Sequence, residues 1–235
     1  MIALGIEASA PSASVALFQG VDWPGERSEQ IVLDAACGAA RGLAPSISEL
    51  LARCGLAPAD LDLIAVGLGP GGYTGTRLAL ATAKTLSFVL RKPILGVSST
   101  QALAAGDAVP EGRVLAVFDA RKGMVYGGLY EKPAGKPPIE TEAPFLRSAS
   151  EVVRGLTEEI FVVGSGLPVL ERSAGRSLRG DVDRTQTARE VLFVATARYS
   201  QGERDRERDL LPLYLRPSEA EILFEKRRVD GNASV

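Results

Sequence analysis

The sequence contains no histidine, and its 235 residues include only two cysteines, two methionines and one tryptophan. Histidine is the usual general base and the usual transition-metal ligand, so its absence excludes histidine-dependent catalytic triads and HExxH zinc sites. Cys37 and Cys54 stand too far apart for a CxxC pair, and we interpret them as buried or incidental thiols. We expect no metal site, no cofactor and no catalytic residue, although carboxylates, lysines and tyrosines remain available for chemistry.

The net charge is also small. Lysine and arginine number 27 against 29 aspartates and glutamates, a net charge of −2, so no overall positive field attracts an RNA backbone. No apolar run approaches the roughly 20 residues of a membrane-spanning helix, and the N-terminus lacks the basic and apolar regions of a secretion signal. We therefore expect a cytosolic, globular protein without membrane contact, whose 46% hydrophobic content supplies a well-buried core.

Two parts of the chain begin in the same way. Residues 2–8 form an apolar segment typical of a buried strand, with Glu7 near its end, and a Ser/Pro turn and a second apolar segment follow. Residues 114–120 repeat this order, with Asp119 in the place of Glu7. The repetition predicts an internal duplication with a boundary near residue 108.

The duplication predicts the domain organisation. We expect an N-terminal lobe over residues 1–108, a C-terminal lobe over residues 109–216 and a polar tail over residues 217–235. Within the first lobe an apolar strand over residues 61–68 precedes a glycine loop and a long helix over residues 76–90. This order of strand, loop and helix is typical of α/β proteins.

Two helices of the first lobe carry apolar faces. The first is expected to begin at Pro45, because proline favours the first helical turn, and Ile47, Leu50 and Leu51 fall on one of its faces. It ends at Gly55.

The second helix, over residues 76–90, is apolar around most of its circumference. Arg77, Lys84 and Arg91 are seven residues apart, so they form one narrow basic stripe. Such a helix needs cover on two sides. Its own sheet covers one, and the other is covered either by a neighbouring helix of the same fold or by another protein chain.

The glycine loop between strand and helix has two interpretations. Residues 67–72 satisfy the GxGxxG pattern of dinucleotide sites, but no acidic residue follows before Asp107 to bind the ribose hydroxyls. Tyr73 and Thr74 stand where a Walker A loop needs lysine and serine or threonine. We favour a tight turn that brings helix and strand together, with Thr74 or Thr76 as the helix cap.

The hairpin acids and a later glycine pair are candidate nucleotide-binding groups. Acids from two duplicated hairpins could orient Mg²⁺ and water around a phosphate, and glycines after a strand could pack against an adenosine. The same residues are ordinary at turns, and this structural interpretation is favoured. The candidates are Glu7, Ser9, Asp119, Arg121, Gly164 and Gly166.

Together these motifs resemble the TsaB (YeaZ) family. The resemblance rests, in chain order, on Leu4-Gly-Ile-Glu-Ala-Ser9, Ser14-Val-Ala-Leu17, Gly69-Pro-Gly-Gly-Tyr-Thr-Gly-Thr-Arg77, Asp119-Ala-Arg121 with Val125-Tyr126, and Tyr214-Leu-Arg216. They span nearly the whole chain, and the glycine loop with its Thr-Gly-x-Arg extension is the most specific. Glu7 replaces the family's common aspartate, Gly72-Tyr73 replaces Ser-Phe, and a histidine common before the first helix is missing around residues 37–41.

The resemblance implies a fold and a role. The fold is the two-lobed, actin-like ATPase (ribonuclease H-like) architecture. The role is that of a non-catalytic scaffold in tRNA threonylcarbamoyladenosine formation, which binds a TsaD-type catalytic paralogue and supports assembly with a TsaE-type ATPase. TsaD carries a histidine metal site within a glycoprotease-like domain, which this chain cannot supply. The partner-free protein is expected to form a homodimer through the same surface, and tRNA contact is expected only through the complex.

The resemblance also implies which residues carry the role. The expected partner interface lies on the two apolar helices, at Ile47, Leu50, Leu51, Arg77, Leu78, Ala81, Lys84 and Phe88. The family loop motif comprises Gly69, Pro70, Gly71, Gly72, Tyr73, Thr74 and Gly75. The alternative function is a nucleotide-dependent ATPase or transferase with its own active cleft, built on Glu7, Asp119 and residues 164–166.

Overall fold

The computed structural model describes residues 1–21, 23, 27–34 and 38–216; the predicted polar tail, residues 217–235, lies outside them. Two five-stranded mixed sheets form the framework. The first sheet contains β1 (Ile2–Glu7), β2 (Ser14–Gln19), β3 (Arg27–Val32), β4 (Leu63–Gly67) and β5 (Ile94–Val97). The second contains β6 (Gly112–Asp119), β7 (Met124–Lys132), β8 (Ile139–Ser148), β9 (Phe161–Val163) and β10 (Gly180–Asp181).

Six helices surround the sheets in the described part of the chain. They are α1 (Gly38–Arg53), α2 (Tyr73–Leu90), α3 (Ser99–Ala104), α4 (Ala149–Arg154), α5 (Leu167–Ala174) and α6 (Ala188–Ser200). None of the helices described combines the length and the hydropathy needed to cross a bilayer.

The two sheets have the same topology. Their strand orders are β3-β2-β1-β4-β5 and β8-β7-β6-β9-β10. In each, the first three strands are antiparallel, and the fourth and fifth strands run parallel to the first. Glu7 and Asp119 occupy the last paired position of the first strand in each sheet, opposite Ser14 and Val125. The predicted duplication is therefore confirmed in the strand order.

Each sheet is buried by helices, but the helices do not follow the order of the chain. α1 and α2 pack on one face of the first sheet, while its other face is covered by α6, from the end of the chain. In turn α3, which follows β5, packs on β6 and β7 of the second sheet. The boundary near residue 108 thus separates the strands of the two sheets, and helices cross it in both directions. That this boundary also separates two folding units remains a prediction.

Helix α1 begins at Gly38, seven residues before the predicted start at Pro45. A proline inside a helix removes one hydrogen bond and strains the preceding turn, but it does not forbid the helix when packing compensates. Leu43, Ile47 and Leu50 supply that packing, because all three are buried in the core beneath the first sheet. Cys54, just after α1, is a free and half-buried thiol; Cys37 lies outside the described residues.

Residues 203–216, which we call the strap, run along the edge of the first sheet. The Asp205 backbone amide donates to the Ile94 carbonyl (3.1 Å), and its carboxylate accepts from the Gly96 amide (2.9 Å). Farther along, the Leu213 amide donates to the Leu68 carbonyl (2.8 Å). An edge strand such as β5 exposes unpaired backbone groups, and the strap satisfies part of that edge.

Candidate functional site

The glycine loop, residues 69–75, follows β4, includes the first turn of α2 and contacts the first hairpin and the start of α3. The Gly72 amide donates to the Ser9 carbonyl (2.7 Å), and the Ser99 amide donates to the Gly69 carbonyl (2.8 Å). The Gly69–Pro70 peptide bond is cis. At Gly75, a Cβ would lie well inside van der Waals contact of the Ala8 carbonyl oxygen. The loop therefore needs glycine there to let the helix approach the hairpin closely.

Helix α2 begins at Tyr73, three residues earlier than predicted, with Gly72 as its N-cap. Gly72 offers no side chain to cap the helix. Thr76 does not cap it either, because its Oγ1 donates back to the Gly72 carbonyl (2.9 Å). The prediction of Thr74 or Thr76 as a cap was wrong, and the backbone contact of Gly72 with Ser9 fixes the start of the helix instead.

A buried polar network lies beneath the loop. The Glu7 carboxylate is fully buried and accepts hydrogen bonds from the Ser9 amide (2.6 Å) and the Ser99 hydroxyl (2.7 Å). The Ser9 hydroxyl donates to Ser99 Oγ (2.9 Å) and accepts from Gln186 Nε2 (2.8 Å). Ser99 Oγ also accepts from the Gly69 amide (3.1 Å). The network connects the first hairpin, the glycine loop, α3 and the residues before α6.

The environment of Glu7 decides what it can do. Burial raises its pKa, and the hydrogen bonds from Ser9 and Ser99 oppose that rise. With no solvent exposure, the carboxylate is turned into the protein and braces the loop. Glu7 and Ser9 therefore do not face an open nucleotide cleft in this structure, contrary to the arrangement required by the alternative enzyme hypothesis.

Asp119 and Arg121 lie in a different setting. The Arg121 amide donates to Asp119 Oδ1 (2.7 Å), and the guanidinium lies 3.6 Å from Asp119 Oδ2. Both residues line an open depression of about 540 Å³, together with Lys122, Gly123 and Arg172 among others. Glu7 is not among its lining residues. The two hairpin acids thus occupy equivalent positions in the sheets but different surroundings, one buried and one half-exposed.

The glycine pair after β9 is explained by packing. A Cβ at Gly164 would clash with the Val117 carbonyl oxygen, and one at Gly166 would lie 2.9 Å from the Val117 Cβ. The Gly166 amide donates to the same Val117 carbonyl (3.2 Å). These contacts support the structural interpretation of the pair, and adenosine binding there stays a prediction. Among the residues that the structure describes, no group of three or more acidic or cysteine side chains is placed to hold a metal ion.

The predicted interface residues separate into two sets. Leu50 is fully buried, and Ile47 and Leu51 are nearly so, because the face of α1 that carries them packs into the core. Leu50 therefore offers nothing to a partner in this structure, which corrects its assignment to the interface. Ile47 and Leu51 keep only their outermost atoms at the surface, where they line a groove between α1 and α2.

The basic stripe on α2 is used within the chain. The Arg77 guanidinium lies 4.0 Å from the centre of the Tyr73 ring, and its Nε donates to the Tyr214 hydroxyl of the strap. The Lys84 ammonium donates to the Leu210 carbonyl (3.0 Å). The predicted basic stripe is thus partly covered by the strap, which accepts a hydrogen bond from Lys84.

The last turns of α2 are exposed and apolar. Phe88 and Val89 have 71% and 69% of their surface exposed, and Ala81, two turns before Phe88 on the same side of the helix, is exposed as well. Phe88 lies one turn beyond Lys84, so this apolar surface continues the basic stripe. Leu78 is half-buried and packs on the core. A groove between α1 and α2 has a volume of about 320 Å³. The groove is lined by Ala44, Ile47, Ser48, Leu51, Ala52, Leu56, Pro58, Thr82 and Leu86.

Comparison with known proteins gives a family model and close structural neighbours. The model described as TsaD: tRNA N6-adenosine threonylcarbamoyltransferase matches residues 35–139. YeaZ from Pseudomonas aeruginosa superposes with a TM-score of 0.80 at 29% identity, over 91% of this chain and 99% of its own. A protein described as similar to peptidase YeaZ from the same organism gives 0.81, over 92% and 99%.

The repeated strand order, with each sheet opening on a hairpin whose first strand ends in an acid, defines an actin-like, ribonuclease H-like α/β protein. The chain is 31% identical over 180 residues to tRNA threonylcarbamoyladenosine biosynthesis protein TsaB of Escherichia coli, covering 73% of this chain and 78% of that protein. It belongs to the TsaB family, as the motifs predicted. Identity to TsaB of Bacillus subtilis is 46% over 91 residues, a match that spans 40% of that protein's length.

Proposed function

We propose that the chain is a non-catalytic, cytosolic subunit of tRNA threonylcarbamoyladenosine biosynthesis that binds a TsaD-type catalytic paralogue through the exposed face of α2 and the adjoining groove. The similarity to the TsaB proteins of E. coli and B. subtilis, which are named for this biosynthesis, supports the pathway. The family resemblance alone supports the participation of a TsaE-type ATPase, a homodimer when the partner is absent, and contact with tRNA through the complex.

The exposed apolar side chains of α2 carry this proposal. Phe88 and Val89 each leave about 70% of their surface in water. Covering this surface would be favourable by roughly 25 cal/mol for each Å² of apolar area buried. The mostly apolar groove between α1 and α2 reaches α2 at Thr82 and Leu86, on the side of the helix nearer to Val89. Exposed apolar surface of this kind is typical of protein interaction sites. A partner that packs across the last turns of α2 would cover Phe88 and Val89 together and could extend into the groove.

The burial of Glu7 supports a non-catalytic role for the chain. A phosphate-binding cleft of the enzyme hypothesis needs acids from both hairpins at one place. In this chain the first acid is enclosed by Ser9 and Ser99, and only Asp119 borders an open depression. The arrangement favours a structural use of the first hairpin.

We expect Phe88→Glu to abolish the complex with the TsaD-type protein of the same organism. The substitution places a charge in an interface that should be desolvated, which costs several kcal/mol and hence a loss of binding of about a hundredfold or more. Size-exclusion chromatography with light scattering of the two proteins, mixed at micromolar concentration, measures the result. Phe88 is preferable to Leu78 as a probe because its exposure leaves the core unchanged.

Ile139→Glu is the matched control. Ile139 is also a large exposed apolar residue, 60% exposed, but it lies on β8 in the second sheet. This variant should bind the partner like the unmodified chain. If Phe88→Glu retains the complex, or if both variants lose it equally, α2 is not the docking surface; if the unmodified chain forms no complex, the scaffold function itself is wrong.

A further inference from the structure

A second cavity, of about 490 Å³, lies on the other side of the glycine loop from the buried network. One wall comes from the loop and the first turns of α2, including Pro70, Tyr73 and Arg77. The other comes from the end of the strap, including Tyr214 and Arg216, and β7 adds the ring of Tyr126. Its volume lies within the range of small-molecule sites, roughly 300–1,000 Å³. The cavity shares no lining residue with the depression at Asp119 or with the groove between α1 and α2.

The charged residues that line the cavity are positive. Within the part of the chain that the structure describes, these residues are Arg77 and Arg216, and no aspartate or glutamate lines the cavity with them. Among the same described residues, Arg77 Nε donates to the Tyr214 hydroxyl and Arg216 Nη1 donates to the Ala120 carbonyl (3.3 Å). A guanidinium has five N–H donors, so both arginines retain several donors for a ligand. An anion is the complementary ligand.

The rings of the lining indicate the rest of the ligand. Tyr73 and Tyr214 are stacked, with ring centres 5.3 Å apart, and Arg77 lies over the first of them. Both tyrosines keep nearly half of their surface exposed. Pro70, Leu213 and other apolar side chains complete the surface. Aromatic faces next to guanidinium groups suit a flat, partly apolar ring that carries a negative group.

We propose that this cavity binds a small ligand in which an anion is attached to a flat ring, of the size and chemistry of a nucleoside monophosphate. The arginines bind the phosphate, and the ring lies against the tyrosines. Because the strap supplies one wall of the cavity, the bound ligand also ties the strap to the start of α2. The inference does not depend on the proposed function, since it concerns a small ligand bound to the isolated chain, and the cavity shares no lining residue with the groove between α1 and α2.

Isothermal titration of the purified chain with AMP tests this inference. We expect binding below about 1 mM, and a dissociation constant at least about tenfold lower than that of adenosine or of inorganic phosphate alone, because each lacks half of the contacts. Arg77→Gln and Arg216→Gln should each weaken AMP binding about tenfold or more, since each removes charge-assisted hydrogen bonds. Tyr126→Leu should weaken it as well, because it removes an aromatic ring from the cavity wall.

Arg121→Gln is the control, because Arg121 borders the depression at Asp119 and not this cavity. It should bind AMP like the unmodified chain, and thermal melting should show all variants folded. Three results would overturn the inference: no AMP binding up to about 1 mM, loss of binding in Arg121→Gln rather than in the cavity variants, or phosphate binding as tight as AMP, which would show an anion site without a ring site. None of these results bears on complex formation with the partner.

Discussion

Replacing Gly75 by alanine should destabilise the protein by about 3 kcal/mol or more, near the upper end for overpacked sites. The added Cβ would meet the Ala8 carbonyl oxygen, a backbone atom that cannot rotate away. Alanine gains up to about 1 kcal/mol over glycine inside a helix, but the clash exceeds that gain because α2 must move away from the first hairpin. For a chain of this size, the midpoint of thermal unfolding should fall by roughly 6–12 °C.

Gly72→Ala is the matched control in the same loop. There a Cβ would lie 3.3 Å from the Ser9 carbonyl oxygen, and the backbone φ of −60° suits alanine. We expect a change below about 1 kcal/mol. Thermal unfolding followed by circular dichroism compares the three proteins, and equal melting temperatures for the two variants would show that close approach at Gly75 does not limit the fold.

Replacing Glu7 by glutamine should change how stability depends on pH. Burial raises the folded-state pKa of Glu7 above its ordinary value of 4.5, so folding favours the protonated carboxyl. The stability of the native protein is therefore largest at or below that ordinary value, and it decreases as the pH rises through the window up to the folded pKa. Glutamine cannot ionise and keeps an oxygen for the Ser9 amide. Its advantage over Glu7 should grow across this window by about 1.4 kcal/mol for each pKa unit.

Urea denaturation at several pH values between about 4 and 9 measures the difference between the two proteins. Glu151→Gln provides a control of opposite sign. Hydrogen bonds from the Ser148 side chain and backbone lower the pKa of Glu151, so its contribution is present above its ordinary pKa and is lost as the pH falls. Parallel stability profiles for the native protein and Glu7→Gln would contradict a raised pKa of Glu7 in the folded protein.

The elements predicted best from the sequence are those whose pattern is local. The two hairpins and the helix after the glycine loop lie close to their predicted positions. β8 was missed because half of its residues are exposed, three are charged and it contains Pro144, so apolar alternation is weak. α5 was missed because it spans eight residues, and β10 because it spans two.

The candidate sites were harder to predict than the secondary structure, because their residues are far apart in the sequence. Sequence separation hid the network beneath the loop, because Ser99 and Gln186 lie 92 and 177 residues from their partners Glu7 and Ser9. Tyr126 and Tyr214 stood in the family motifs, but nothing in their local pattern places them in one cavity with Arg77. Leu50 shared an apolar face with its neighbours, and such a face indicates burial without saying whether the core or another chain provides it.

The crossing of α6 onto the first sheet also constrains how the chain is made. During synthesis the first sheet emerges early, yet the helix that covers its second face is not complete until residue 200. Until then Phe18, Leu63 and Leu95, which are fully buried in the finished protein, have no cover on that side. A nascent chain stalled near its middle should therefore be prone to aggregation and a substrate for chaperones. The N-terminal half of the fold is therefore completed only late in synthesis, when α6 has been made.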